Sequence, residues 1–238
     1  MMQSAADKFI EEWAPFPLQF YGVEGAMVQF NPIAVSERDF DAHNVRIPKD
    51  YSKMVSSRRS EFLAARLCAQ SILSRFDTIE SNQVEVGLCR SPIWPSGVLG
   101  SISHSGNIAA ACVVEQSQFR NIGIDVEPLI EPSIIDRIGR NVMTEFEHAK
   151  WAAYHSDEIQ RSRFFTLIYS CKESIFKALF KDVNKIFDFD SVSLVSLDEN
   201  KAVFRLDKTL NLMWQKGELL VCYYKFVSSL VFTIILVT

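Results

Sequence analysis

Between Gly123 and Glu127 two carboxylates alternate with two aliphatic residues, Gly123-Ile124-Asp125-Val126-Glu127. A β-strand, with its side-chain period of two, sends Ile124 and Val126 into a core and projects Asp125 and Glu127 together from the other face. A second block, Lys172-Glu173-Ser174-Ile175-Phe176-Lys177, has a different period. Glu173 and Lys177 stand four apart, so a helix stacks a carboxylate beside an ammonium on one side. The chain must therefore supply both a strand and a helix, and the two acidic blocks together read as a magnesium site.

Three oxygen-bearing acids, with no histidine or cysteine among them, favour Mg²⁺ over zinc. Mg²⁺ takes few carboxylates and leaves positions for water and for substrate phosphate, so the expected substrate carries phosphate. Each block alone also has a plainer reading. Asp125 and Glu127 fit surface carboxylates on an edge strand, and Glu173 with Lys177 fits a solvent-facing ion pair of small energetic worth.

The 238 residues are 48% hydrophobic and 23% charged, enough for a full core in one large domain or two small ones. Lys and Arg number 25 against 29 Asp and Glu, a net charge of −4, so no global basic field recruits nucleic acid or an anionic membrane. The five cysteines are scattered without a C-x-x-C pair, which argues against a disulfide framework or structural zinc and suits a reducing cytoplasm. Met1 to Trp13 lacks the basic start and apolar run of a secretory signal. The apolar stretch from Leu219 to Val237 is interrupted by Lys225 and by Ser228-Ser229, and its β-branched and aromatic residues predict a hairpin rather than a transmembrane segment.

Phe62, Ala65, Ala69, Ile72 and Phe76 recur at helical spacing and predict a helix over 57–76 capped by Ser57. Arg59 and Arg66, seven apart on that helix, share a face that is either solvated or anion-binding. Arg90 to Gly106 reads as a turn-rich loop whose serines, glycine-freed amides and His104 are good phosphate donors, entering a strand from Ile108 to Val114. His104 alone also fits a hydrogen-bonded structural histidine. Thr144 is expected to cap a helix, His148 and His155 to be incidental, and a second long helix to run over 163–180. Phe187-Asp188-Phe189, 192–194, 202–206 and the C-terminal stretch read as strands. The predicted class is α+β, with helices covering largely antiparallel strands and a division near Phe119, giving halves 1–118 and 119–238.

Four blocks now stand in order: Arg58-Arg59-Ser60-Glu61-Phe62-Leu63-Ala64-Ala65-Arg66, Ser91-Pro92-Ile93-Trp94-Pro95 through Gly100-Ser101-Ile102-Ser103-His104-Ser105, Gly123 to Glu127, and Ser170-Cys171-Lys172-Glu173-Ser174-Ile175-Phe176-Lys177. The pattern resembles the 4′-phosphopantetheinyl transferases, most of all the enterobactin-synthase component D branch, where the Trp94 to Ser105 block and Phe187-Asp188-Phe189 are typical. The likeness covers roughly residues 58–189. It implies two similar α/β halves forming a pseudo-dimer within one monomer, with a ligand cleft between them. It also implies transfer of the phosphopantetheine arm of coenzyme A to a serine of an apo carrier protein, with Mg²⁺ required and adenosine 3′,5′-bisphosphate released.

By the same resemblance Asp125, Glu127 and Glu173 hold the metal, Glu173 serves as general base, and Lys177 stabilises the leaving phosphate. Ser103 and His104, with Arg90 and one or both of Arg58 and Arg59, would take the 3′-phosphate end of coenzyme A, with Arg66 supporting, and Lys172 the pyrophosphate. Ala65 stands where the family has glycine, which affects only the arrangement near Arg66. The partner is an acyl, aryl or peptidyl carrier domain, expected to be acidic. Arg137 and Arg140, or Phe164-Phe165, are candidates to meet it, against solvated face and core as the alternatives. Two other functions remain open at this point: a different Mg²⁺-dependent reaction on a nucleoside diphosphate, and a non-catalytic carrier-binding subunit.

Overall fold

A computed structural model describes residues 9–32, 35–77, 79–154 and 157–238; His155 lies outside them. The chain forms two compact units that meet in sequence between Arg120 and Asn121. Both are α+β, and every strand pair within them is antiparallel. No helix among the described residues is long and apolar enough to cross a membrane.

The first unit begins with β1 (Ile10–Pro15), β2 (Val23–Phe30), α1 (Glu37–Ala42) and the long α2 (Ser56–Leu73). A short ribbon of β3 (Glu85–Val86) and β4 (Pro92–Ile93) follows, then β5 (Val98–Ser105) and β6 (Ile108–Glu115). The main sheet has the order β1-β2-β6-β5. Ala64, Ala65 and Ala69 of α2 and Ala109 and Ala111 of β6 are buried in one core. Small side chains on both surfaces let the helix axis settle close to the sheet, and the larger Phe30, Phe40, Leu63 and Ile72 are fully buried in the same core. Helix α2 starts after Val55, so Ser57, expected as its cap, lies inside the first turn and caps nothing.

The second unit contains β7 (Asn121–Pro128), α3 (Pro132–Val142), α4 (Glu145–Ala152), α5 (Glu158–Val183), β8 (Val192–Leu197), β9 (Lys201–Leu206), β10 (Leu219–Val227) and β11 (Leu230–Val237). Its sheet has the order β7-β11-β10-β9-β8. The C-terminal stretch is the hairpin its composition predicts, β10 turning into β11 through Ser228 and Ser229 with Ser228 left-handed at φ 53°. Helix α5 runs five residues further toward the N-terminus than its apolar periodicity suggests. Asp157 caps it by accepting from the Gln160 amide at 3.0 Å, and Asn184 ends it in a left-handed conformation. Phe187 to Phe189 is not a strand but a connector whose rings pack on α5, Phe187 on Phe176 and Phe189 on Tyr169.

Helix α5 lies across β7 and β11, and one residue controls how closely. A Cβ at Gly123 would stand 1.9 Å from the Ser174 carbonyl oxygen and 2.8 Å from the Ala178 nitrogen. Beside this contact Thr233 of β11, fully buried, shares its hydroxyl with Ser170 Oγ at 3.0 Å and Ser174 Oγ at 2.7 Å, and donates to the Ser170 carbonyl. The seam satisfies polar groups in a dry layer and fixes the position of α5 along the sheet. Gly123→Ala should therefore cost about 3 kcal/mol, at the upper end of overpacking penalties. Thermal unfolding would show it, whereas Gly123→Ala with retained stability would refute the close approach.

Candidate active site

The acids of β7 and the stripe of α5 come together. Asp125 is only 3% exposed and stands opposite Thr233 in the ladder, with Glu127, partly buried, on the same face two residues on. The Lys177 ammonium donates to Asp125 Oδ1 at 2.7 Å and to the Ile124 carbonyl at 3.1 Å. Glu173, one turn back, is partly buried, and its carboxyl is pushed above the ordinary range by desolvation, eased by Lys177 and reinforced by the negative charge of Asp125. Tyr169, one turn earlier again, has its phenol raised by burial and then by Glu173, Glu127 and Asp125 in that order. The negative charges of all three acids thus act on one tyrosine. The Tyr169, Glu173, Lys177 stripe repeats every four residues, a signal present in the sequence although Tyr169 was not singled out there.

Among the described residues no three of His, Cys, Asp and Glu converge as a finished ligand cage. The donor chemistry nonetheless fits Mg²⁺. The three acids offer only hard oxygen, and desolvation, with the charge of Asp125 adding to it, disfavours ionisation of Glu173. A divalent cation relieves that strain.

Lys172 does something different from what the motif suggests. It is 2% exposed, and its three ammonium protons go to Glu147 Oε2 at 2.7 Å, the Val142 carbonyl at 2.8 Å and the Phe189 carbonyl at 3.1 Å. Glu147, fully buried, also accepts from the Thr144 amide at 2.7 Å through Oε2 and from the Leu194 amide at 2.8 Å through Oε1. Thr144 caps α4 as expected, in a reciprocal capping box with Glu147. The pyrophosphate contact assigned to Lys172 is therefore replaced by a buried tie joining α4, α5 and β8. Desolvation lowers the Lys172 pKa, with Glu147 opposing it. Phe164 and Phe165 are likewise core residues rather than a carrier surface, while Arg137 and Arg140 are exposed.

In the first unit, Arg58 Nη1 lies 2.6 Å from His104 Nε2 and 3.2 Å from Glu61 Oε2. Of the stretch read as a loop, Val98–Ser105 is strand β5, with His104 opposite Ala109 and Ser103 opposite Ala110. Strand alternation puts His104 on the α2 side with Ala109 and directs Ser103 to the other face. Ser103 therefore does not join the Arg58–His104 pair through its side chain. Arg59 stacks on Tyr51 at 4.3 Å, and Arg90, left-handed at φ 63°, pairs with the neighbouring Asp50 at 2.6 Å. The Asp50-Tyr51 turn thus links two arginines that are 31 positions apart in the chain, a link that spacing alone does not reveal. Arg66 is 7% exposed and stacks on Phe62 at 4.4 Å; burial first, then Arg58, lowers its pKa to about 10.

Two outcomes test this geometry. Lys172→Met leaves the Glu147 charge buried alone and should cost about 3–5 kcal/mol, with the Glu147→Gln/Lys172→Met pair regaining much of it; equal losses in denaturant unfolding would refute the tie. For Glu173, a raised folded-state pKa means that ionisation penalises the fold, a penalty that appears as pH climbs above the ordinary 4.5 and levels off beyond the raised value. In chelator-containing buffer Glu173→Gln should melt higher than the parent protein, by a margin that grows with pH over that window; a pH-independent margin would contradict it.

Sequence comparison bears on both units. Residues 47–114 match the 4′-phosphopantetheinyl transferase N-terminal domain, and residues 121–234 match the 4′-phosphopantetheinyl transferase superfamily. Enterobactin synthase component D of Escherichia coli K12 is 29% identical over 207 residues, covering 86% of this chain and 93% of the relative. The Salmonella typhi protein of the same name is 30% identical over 193 residues, 77% of this chain and 73% of that one. The 4′-phosphopantetheinyl transferase Npt of Nocardia iowensis is 30% identical over 161 residues; the match spans 66% of this chain and 65% of the relative. With both units matched, the chain belongs to the 4′-phosphopantetheinyl transferase superfamily, enzymes that move the phosphopantetheinyl group of coenzyme A onto carrier proteins.

Proposed function

We propose that this enzyme modifies aryl or peptidyl carrier domains of a siderophore synthetase, in the cytoplasm, as a monomer, and that it depends on Mg²⁺. The observation that carries the reading is the stripe Tyr169, Glu173 and Lys177 held over Asp125 and Glu127. The names of the Escherichia coli and Salmonella typhi relatives support the pathway.

In this reading Asp125, Glu127 and Glu173 hold the metal, which when bound neutralises charge on the pyrophosphate of coenzyme A. Glu173 takes the proton from the carrier serine hydroxyl. The serine oxygen bonds to the phosphorus bearing the pantetheine arm, and the bond from that phosphorus to the bridging oxygen breaks. The electron pair leaves with adenosine 3′,5′-bisphosphate. Lys177, whose ammonium already reaches Asp125, stabilises the departing phosphate as its charge grows. Arg58, His104, Arg59 and Arg90 take the 3′-phosphate, a dianion suited to arginine forks, and Arg66 supports them from within the helix–sheet layer.

Mass spectrometry decides the reading. Incubation with coenzyme A, Mg²⁺ and an apo aryl or peptidyl carrier domain should add one phosphopantetheine to the carrier serine. Glu173→Gln should abolish the addition while coenzyme A still binds. No addition to any of several siderophore carriers, alongside addition to a fatty-acid carrier, would overturn the pathway; undiminished turnover by Glu173→Gln would remove Glu173 from its role.

A further inference from the structure

We infer that Glu61 is a positioning residue that orients Arg58 and His104 and thereby sets how strongly the enzyme favours a substrate bearing a 3′-phosphate. The inference rests on the assignment of those two residues to the 3′-phosphate. Glu61 sits three residues after Arg58 on α2. Its Oε2 lies 3.2 Å from Arg58 Nη1 and 3.4 Å from His104 Nδ1, so one carboxylate oxygen addresses both side chains. Arginine can only donate. The 2.6 Å contact from Arg58 Nη1 therefore makes His104 Nε2 an acceptor and puts the ring proton on Nδ1, the nitrogen that faces Glu61.

A carboxylate among residues that bind a dianion opposes the ligand electrostatically, so attraction to the phosphate does not account for it. Orientation does. The Arg58 and His104 side chains are 39% and 22% exposed and come from a helix and a strand. Without a shared anchor the long arginine samples several rotamers, and ordering them on binding costs entropy. Glu61 holds the imidazole in one tautomer and, through it, the guanidinium beside it before the phosphate arrives, leaving the other N–H groups of Arg58 to meet the anion. Outer partners of this kind act on binding-site histidines in the same way.

The test compares coenzyme A with 3′-dephospho-coenzyme A as substrates, reading KM and kcat for each with one carrier. The parent enzyme should favour coenzyme A. Glu61→Ala should raise KM for coenzyme A about tenfold, as loss of an outer partner typically does, while KM for the dephospho substrate and both kcat values move less than about twofold. Glu61→Gln, which keeps the shape and an acceptor oxygen without the charge, should restore most of the preference. Equal losses on both substrates in the Ala and Gln variants would make Glu61 merely structural and overturn the inference. So would an unchanged preference in folded Glu61→Ala. A parent enzyme that takes both substrates equally would instead overturn the 3′-phosphate assignment itself, and with it this role.

Discussion

The contact of helix α5 with strand β7 at Gly123 is the constraint from which the second unit's chemistry follows. The helix carries Glu173 and Lys177 and the strand carries Asp125 and Glu127, and Lys177 reaches Asp125 at 2.7 Å because no side chain at position 123 holds the backbones apart. The hydroxyls of Ser170, Ser174 and Thr233 then lock the helix along its length. Glycine allows the approach and the buried hydroxyls choose its register. Both are buried, yet they govern where the carboxylates stand.

A second tie supports the same helix from the opposite side. The Glu147–Lys172 pair is isolated from solvent, and such a pair gives little net stability over an apolar substitute while being costly to break. Its value is geometric, because its five short polar contacts bind three helices, a strand and a connector to one point. Adjacent residues on one helix are thereby divided between tasks. Lys172 faces inward to the fold, and Glu173, about 100° further around the axis, faces the acids of β7.

How much of this was legible in the sequence depends on the length scale of the interaction. The strand over 123–127 and the Glu173–Lys177 pair follow from local periods of two and four, and the structure brings them together. The Thr144 cap is equally local. The direction of Lys172 is not legible, because a motif marks position but not direction and its partner Glu147 lies 25 residues away. Ser103 and His104 look alike in a serine-rich string, but pairing of β5 with β6 sends them to opposite faces. Phe187 to Phe189 has strand composition, yet its rings have α5 to pack on and the backbone follows them. The N-terminal strand β1 carries little local signal, since it alternates poorly and has two consecutive glutamates.

The pairing of β5 with β6 also has a bearing on how such a chain can diversify. The two strands are joined by Gly106 and Asn107 alone, with Gly106 left-handed at φ 59°, and this turn sets which β5 residue faces α2. Adding or deleting one residue there would exchange serine for histidine beside Arg58 with no change in the composition of the site. The length of a two-residue turn on the surface is thus as decisive for what stands beside Arg58 as the identity of the residues themselves. Substitutions can be explored freely along much of the outer surface, but at this corner change has to proceed without altering the count.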